Sequence, residues 1–236
     1  MGIVANNISK TYKTQQVLSA LDLEIHQDEV FCLVGINGAG KTTLLKCILD
    51  FHRAEYGEIT IFNFSSKQTQ SRKDLAYLPE RFLPPHYLNG AQFLNYIAEL
   101  HKTKFNDSAV ENMLNDLDLS EDILKKNVSQ VSKGMAQKLG LASLLLLDKK
   151  LLILDEPMSG LDPKARALVK QQLKKFKDKG NTIFFSSHLL TDVDELSDRI
   201  GILHEGEIAF CGSPEECKVK YQADNLEQAF LNCIGG

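Results

Sequence analysis

Val30-Phe31-Cys32-Leu33-Val34 runs straight into Gly35-Ile36-Asn37-Gly38-Ala39-Gly40-Lys41-Thr42, and the join between the two decides the fold. Five apolar residues in a row suit a strand buried on both faces of a sheet. The eight residues after it fit the pattern GxxxxGK[ST]. Glycines let backbone N–H groups curl around phosphate oxygens, and a helix N-terminus behind them adds a favourable dipole. Leu44, Leu45, Cys47, Ile48 and Leu49 read as that helix. Strand, glycine loop and helix together are the context this chemistry requires. Lys41 is then placed to reach the β- and γ-phosphates, and Thr42 to offer its hydroxyl to Mg²⁺. Gly35, Asn37, Gly38, Ala39, Gly40 and Thr43 complete the candidate cradle.

A second stretch matters only because the first exists. Leu151-Leu152-Ile153-Leu154 is apolar and ends in Asp155-Glu156. Many strands end in acidic turn residues, so alone this says little. Beside a phosphate loop, two carboxylates at the edge of a parallel sheet lie where ligands bind. Asp155 is the candidate Mg²⁺ ligand, directly or through water. Glu156 is the candidate for polarising an attacking water. The pair of motifs defines a P-loop NTPase and nothing narrower.

The remaining pattern supplies the architecture. Leu21-Asp22-Leu23-Glu24-Ile25 alternates as a half-buried strand, and Glu58-Ile59-Thr60-Ile61-Phe62 is another. Residues 84–147 change to helical spacing. Phe93, Leu94, Ile97, Ala98 and Leu100 fall on one face, as do Val110, Met113, Leu114 and Leu117. Pro163 after Asp162, with Gly180 further on, brackets a helix. Thr182-Ile183-Phe184-Phe185-Ser186 is a buried strand. Two short apolar runs flank His204-Glu205-Gly206 as a hairpin, and the tail from Ser213 reads as short helices.

Composition narrows the class. The chain has 236 residues, 43% hydrophobic and 25% charged, with a net charge of −4. That suits one large globular domain and offers no basic stripe for nucleic acid. Five cysteines without a CxxC pair read as reduced thiols. No signal peptide is expected from the mixed, polar start. The longest apolar stretch, residues 139–147, falls far short of the ~20 residues that span a bilayer. Any membrane crossing is expected from another chain.

Further residues narrow the NTPase. Val131-Ser132-Lys133-Gly134-Met135 and its sequel Ala136-Gln137-Lys138-Leu139 lie just ahead of the second motif. Ser159-Gly160-Leu161-Asp162 follows it, and His188 follows the strand ending Phe185-Ser186. Tyr12 precedes the phosphate loop, and Leu78-Pro79-Glu80 lies between. This ordered set, spread from about residue 3 to residue 210, resembles the nucleotide-binding subunits of ABC transporters. The resemblance implies an α/β fold: a RecA-like P-loop NTPase core with an N-terminal antiparallel β subdomain and an inserted α-helical subdomain. Residues 1–236 then form a single ABC ATPase domain, with 1–83 and 148–236 as the core and β subdomain and 84–147 as the helical insertion.

The same resemblance implies roles. Tyr12 stacks on adenine. Glu80 joins Thr42 and Asp155 around Mg²⁺. Ser132 and the N–H of Gly134 donate to the γ-phosphate of an ATP held by a second subunit, and Asp162 lies in the D-loop. His188 bonds the γ-phosphate and helps place the water. The residues alone leave Tyr12 open as a strand-end core aromatic and His188 as a satisfied histidine. His26, His52, His86, His101 and His204 are read as satisfied histidines without a role. Lys133 and Met135 stand where the family usually has Gly and Gln, and Glu80 where it usually has Gln. Both variants resemble the subfamily whose ATPases pair with separately encoded ABC-2-type membrane subunits, mostly exporters.

The expected protein is therefore a Mg²⁺-dependent ATPase on the cytoplasmic face of a cell membrane. Its expected partners are an integral membrane permease and a second copy of itself or a paralogue, with no nucleic acid. A groove near Phe82, Leu83, Pro84, Pro85 and Tyr87 is the expected dock for the permease, against ordinary loop packing. The alternative function is a soluble ABC-type ATPase, for example in cofactor assembly. An ATP-binding regulator without hydrolysis is disfavoured by Lys41, Asp155, Glu156 and His188 occurring together.

Overall fold

The computed structural model describes residues 1–235. Its centre is a six-stranded sheet in the order β10-β9-β3-β8-β7-β6. The members are β3 (Val30–Val34), β6 (Leu75–Leu78), β7 (Leu151–Asp155), β8 (Thr182–Ser187), β9 (Arg199–His204) and β10 (Glu207–Gly212). All pair in parallel except β10, which returns antiparallel on β9. The strands β3, β7 and β8 are buried throughout, as their unbroken apolar runs require.

Period-two geometry sends alternate residues of these strands into two separate cores. Val30, Cys32, Val34, Leu152, Leu154, Ile183 and Phe185 enter one. Phe31, Leu33, Leu151, Ile153 and Phe184 enter the other. The second core lies under helix α1 (Lys41–Ile48), which contributes Leu44, Leu45 and Ile48. It also lies under a four-stranded antiparallel sheet, β2-β1-β4-β5. That sheet holds β1 (Ile3–Tyr12), β2 (Gln15–Ile25), β4 (Tyr56–Ile61) and β5 (Phe64–Ser65).

The first core lies under the other helices: α2 (Gly90–Leu100), α3 (Asp107–Asp116), α4 (Lys133–Leu145), α5 (Pro163–Lys177), α6 (Leu190–Leu196) and α8 (Leu226–Ile234). The short α7 (Pro214–Lys220) adds Cys217. Between β6 and β7 the chain forms α2, α3, α4 and short 3₁₀ turns. Among the described residues the only strand pairing there is an isolated bridge, Asn89 to Asn127. These helices start on their caps: Asn89 forms a capping box with Gln92, and Asn106 and Ser132 accept from their own first turns. No helix among the described residues is long and apolar enough to cross a membrane.

Two details differ from the sequence reading. Leu100, grouped with the apolar face of α2, is exposed: it is the helix's last residue and lines an open surface pocket beside His101, Lys102 and Lys149. The four-residue β6 was too short to stand out by pattern, yet it pairs with all but the last residue of β7 and carries the chain to Glu80.

Candidate functional site

Parallel strands deliver their carboxyl ends to one edge of the sheet, and there the chain forms a cleft of about 690 Å³. Lining residues include Ile36, Asn37, Gly38, Gly40, Lys41, Thr42 and Thr43 from the loop and helix after β3. Glu80, Glu156, Ser159 and His188 line it from the segments after β6, β7 and β8, and Gln15 and Val17 from β2.

The loop needs its glycines at two positions in particular. Gly40 caps α1 with φ of 109°, a left-handed conformation, and a Cβ there would also press on the Val17 carbonyl. At Gly35 a Cβ would stand 2.8 Å from the Leu203 carbonyl oxygen. The chain thus turns tightly against β9 and then enters α1, whose first residues, Lys41, Thr42 and Thr43, line the cleft. Lys41 is buried, and its Nζ donates to the carbonyls of Gly35 at 2.7 Å and Ile36 at 3.3 Å. The ammonium is held across the loop rather than extended into solvent.

A chain of hydrogen bonds joins the ends of β7 and β8 to α1. Thr42 Oγ1 donates to Asp155 Oδ2 at 3.0 Å. Ser186 Oγ donates to the other carboxylate oxygen at 2.6 Å and accepts from Glu156 N at 3.0 Å. Asp155 is fully buried and survives there because both its oxygens are satisfied. Glu156 follows with φ of 49°, a backbone conformation that few non-glycine residues adopt and that clusters at functional sites. The turn aims its carboxylate back at the cleft. Oε1 lies 3.6 Å from Lys41 Nζ, and Oε2 lies 2.8 Å from His188 Nδ1.

Neighbouring groups feel this charge. Burial and then the Asp155 and Glu80 carboxylates push the Tyr77 phenol up to about 12. Cys32, below the loop, is held well above its ordinary value by burial and then by Glu156, so it stays a neutral thiol. As a candidate metal centre, the cleft offers the Thr42 hydroxyl and the Asp155 and Glu80 carboxylates. These are hard oxygen donors of the kind Mg²⁺ takes. Among the described residues no cluster of three or more His, Cys, Asp or Glu is gathered for a metal. An ion here would draw its other ligands from phosphate and water, which is how Mg²⁺ is commonly held beside nucleotides.

The remaining candidates are placed differently. Ser132 is exposed at the start of α4, where its Oγ accepts from Met135 N at 3.2 Å. A Cβ on Gly134 would meet Leu161 at 3.4 Å, and Lys133 Nζ lies close to Gly160, so the segments 131–135 and 159–162 abut. Asp162 caps α5 by accepting from Ala165 N at 2.9 Å. Ser132, Gly134 and Asp162 do not line this chain's own cleft. Gly35 and Asp155 are buried behind the lining surface, and half-buried Ala39 and exposed Tyr12 also lie off it. Tyr12 is 40% exposed at the end of β1, which removes the core-aromatic alternative. Sequence reasoning did not single out Ser186 as a ligand organiser, nor Gln15 and Val17 as lining. For Ser186 there was a usable signal, a hydroxyl at the end of the strand predicted beside the acidic one.

Fold and cleft together define a P-loop nucleotide-binding class. The family model described as ABC transporter matches residues 18–159. An ABC transporter ATP-binding protein of Synechocystis is 40% identical over 219 residues, covering 89% of this chain and 62% of that protein. This chain thus spans about three-fifths of that relative's length. The lantibiotic transport ATP-binding protein of Streptococcus pyogenes is 34% identical across 97% of this chain and 95% of its own. Among solved structures, an ATP binding subunit of an ABC transporter superposes with a TM-score of 0.86 at 26% identity, covering 99% of both chains. The chain belongs to the ABC transporter family.

Proposed function

We propose that this chain is the Mg²⁺-dependent ATPase subunit of an ABC exporter. The observation that carries the reading is the position of Glu156, oriented by Lys41 on one side and His188 on the other, beside the Thr42–Asp155 pair. Lys41 and the N–H groups opening α1 bind the β- and γ-phosphates. Thr42, Asp155 and Glu80 would hold Mg²⁺, which supplies neutralising charge to the phosphates when bound. Glu156 holds the attacking water in line and accepts its proton, while His188 fixes the carboxylate and reaches the γ-phosphate. Ser186 acts one step back by locking Asp155 and the Glu156 backbone. Tyr12 stacks on the adenine.

Ser132 and Gly134 sit at a helix N-terminus suited to a γ-phosphate but away from this chain's own cleft. We assign them, with Asp162, to the site of a second copy, so that two chains sandwich two ATP molecules. The domain divides into a core, 1–83 and 148–236, and a helical insertion, 84–147. Phe82 packs its ring on Phe93, 5.5 Å between centroids, while Leu83 and Tyr87 are 86% and 70% exposed. That exposure supports these two as the contact for a separately encoded permease on the cytoplasmic face of the membrane. The lantibiotic-transport relative and the Lys133, Met135 and Glu80 variants favour export.

The test is purification from membranes through a tag on this chain. Mg²⁺-dependent phosphate release together with a co-purifying multi-span membrane protein is the expected result. Robust hydrolysis with no membrane partner would favour a soluble ATPase instead.

A further inference from the structure

Two contacts hold the Tyr12 ring. Its hydroxyl is hydrogen-bonded to His52 Nδ1, and the rings meet edge to face, 5.8 Å between centroids at 68°. Lys10 Nζ lies over the ring, 5.4 Å from its centroid. One edge and one face are therefore taken, and a flat base can stack only on the other face.

His52 is itself anchored to the phosphate loop's helix. It sits just beyond α1, and its N–H donates to the Lys46 carbonyl at 3.1 Å, alongside that of Phe51 at 2.9 Å. The same segment is stitched to β1. Glu55 N donates to Ser9 O at 2.9 Å, and Glu55 Oε1 accepts from Thr11 N at 3.1 Å. The helix that begins in the phosphate cradle and the strand end that carries Tyr12 are thus one connected piece.

We infer that His52 is a positioning residue for the nucleotide base: it fixes the Tyr12 ring in register with the phosphate cradle, so that base and phosphates bind to a prearranged pair of surfaces. This inference rests on the reading of Tyr12 as the base-stacking residue. A tethered aromatic has less rotamer freedom to lose when the base arrives, and that saving appears as affinity. The effect belongs to the base alone. Inorganic tripolyphosphate fills the cradle without touching Tyr12, and it separates base positioning from general damage.

The experiment is calorimetric titration of the full chain with Mg-ATP and with Mg-tripolyphosphate. His52→Ala is expected to weaken ATP by about three- to tenfold, the scale of one hydrogen bond, and to leave tripolyphosphate unchanged. Tyr12→Phe, which deletes only the hydroxyl, is expected to match it. The double variant is expected to be no worse than either single one, the mark of a shared interaction. His52→Gln, which keeps an acceptor for the hydroxyl, is expected to retain most of the ATP affinity. Equal losses for both probes in His52→Ala would make His52 a structural prop and overturn the inference. So would full additivity in the double variant, or a loss in His52→Gln as large as in His52→Ala. Tyr12→Ala separates the layers. If it weakens ATP while His52→Ala does not, only the inference fails. If it leaves ATP binding untouched, the base-stacking reading fails and the inference with it.

Discussion

His188 Nδ1 lies 2.8 Å from Glu156 Oε2, a contact between the ends of two adjacent parallel strands. The carboxylate's other oxygen faces Lys41 at 3.6 Å. Removing the imidazole leaves Glu156 with one orienting partner. His188→Ala should lower phosphate release by ~10²-fold, the usual worth of a positioned acid–base group. ATP affinity should fall far less than the rate. A rate within a few-fold of wild type would assign the histidine to packing.

Glu156→Gln keeps the size of the side chain and removes its charge and its basicity. Hydrolysis should slow by ~10²-fold or more, while ATP binds at least as well because a repulsion toward phosphate is gone. Two copies should then remain closed around uncleaved ATP. Size-exclusion chromatography with ATP should show a monomer shifting to a dimer. Loss of hydrolysis without that shift would mean that closure needs a further partner, such as the proposed permease, to hold two copies together.

Ser132→Arg tests the assignment of the α4 N-terminus to a partner's site. ATP binding by one chain should persist and hydrolysis should stop. Mixing with Lys41→Ala should restore part of the activity, because one site of the mixed dimer then has an intact phosphate loop and an intact Ser132. The substitution also removes the α4 cap, so a stability loss of about 1 kcal/mol should accompany it. Unchanged hydrolysis by Ser132→Arg alone would end the composite-site model.

Lys138 ties α4 to the end of α3. Its Nζ donates to the carbonyls of Leu117 at 2.8 Å and Asp118 at 2.9 Å, and burial lowers its pKa. Lys138→Ala leaves the carbonyl of buried Leu117 short of a donor, while that of Asp118, an exposed residue, can turn to water. Denaturant melting should show a loss of about 1–3 kcal/mol. A shift below about 0.5 kcal/mol would show that the helices hold without this contact.

The legible part of the site was the part written in contiguous residues. The loop 35–42 carries its own conformational demands, and Asp155-Glu156 inherits its position from an unbroken apolar strand. Helices α2 and α3 announced themselves by periodicity, since each buries one face, whereas α4 is buried almost all round from Ala136 to Leu144 and has no such stripe. Contacts between distant segments stayed hidden. His52 looked idle because its partner, Tyr12, lies forty positions away and meets it only through the antiparallel sheet. Lys138 was read only as part of the stretch 136–139, and its bonds to the end of α3, twenty positions away, had no signal in the sequence. Short β6 lacked the length for a period to show.

The pairing of Asp155 with Ser186 in the β7–β8 register limits how this chain can change in length. Adding or deleting one residue within Thr182–Ser187 would turn the Ser186 hydroxyl to the opposite face of the sheet and carry His188 off by a residue. A single codon gained or lost there removes both the support of Asp155 and the partner of Glu156. The turn around Gly180, with φ of 79°, lies before the strand and faces no such demand. Heritable length variation around β8 is therefore expected in the turn at Gly180, while the strand itself can drift only by substitution.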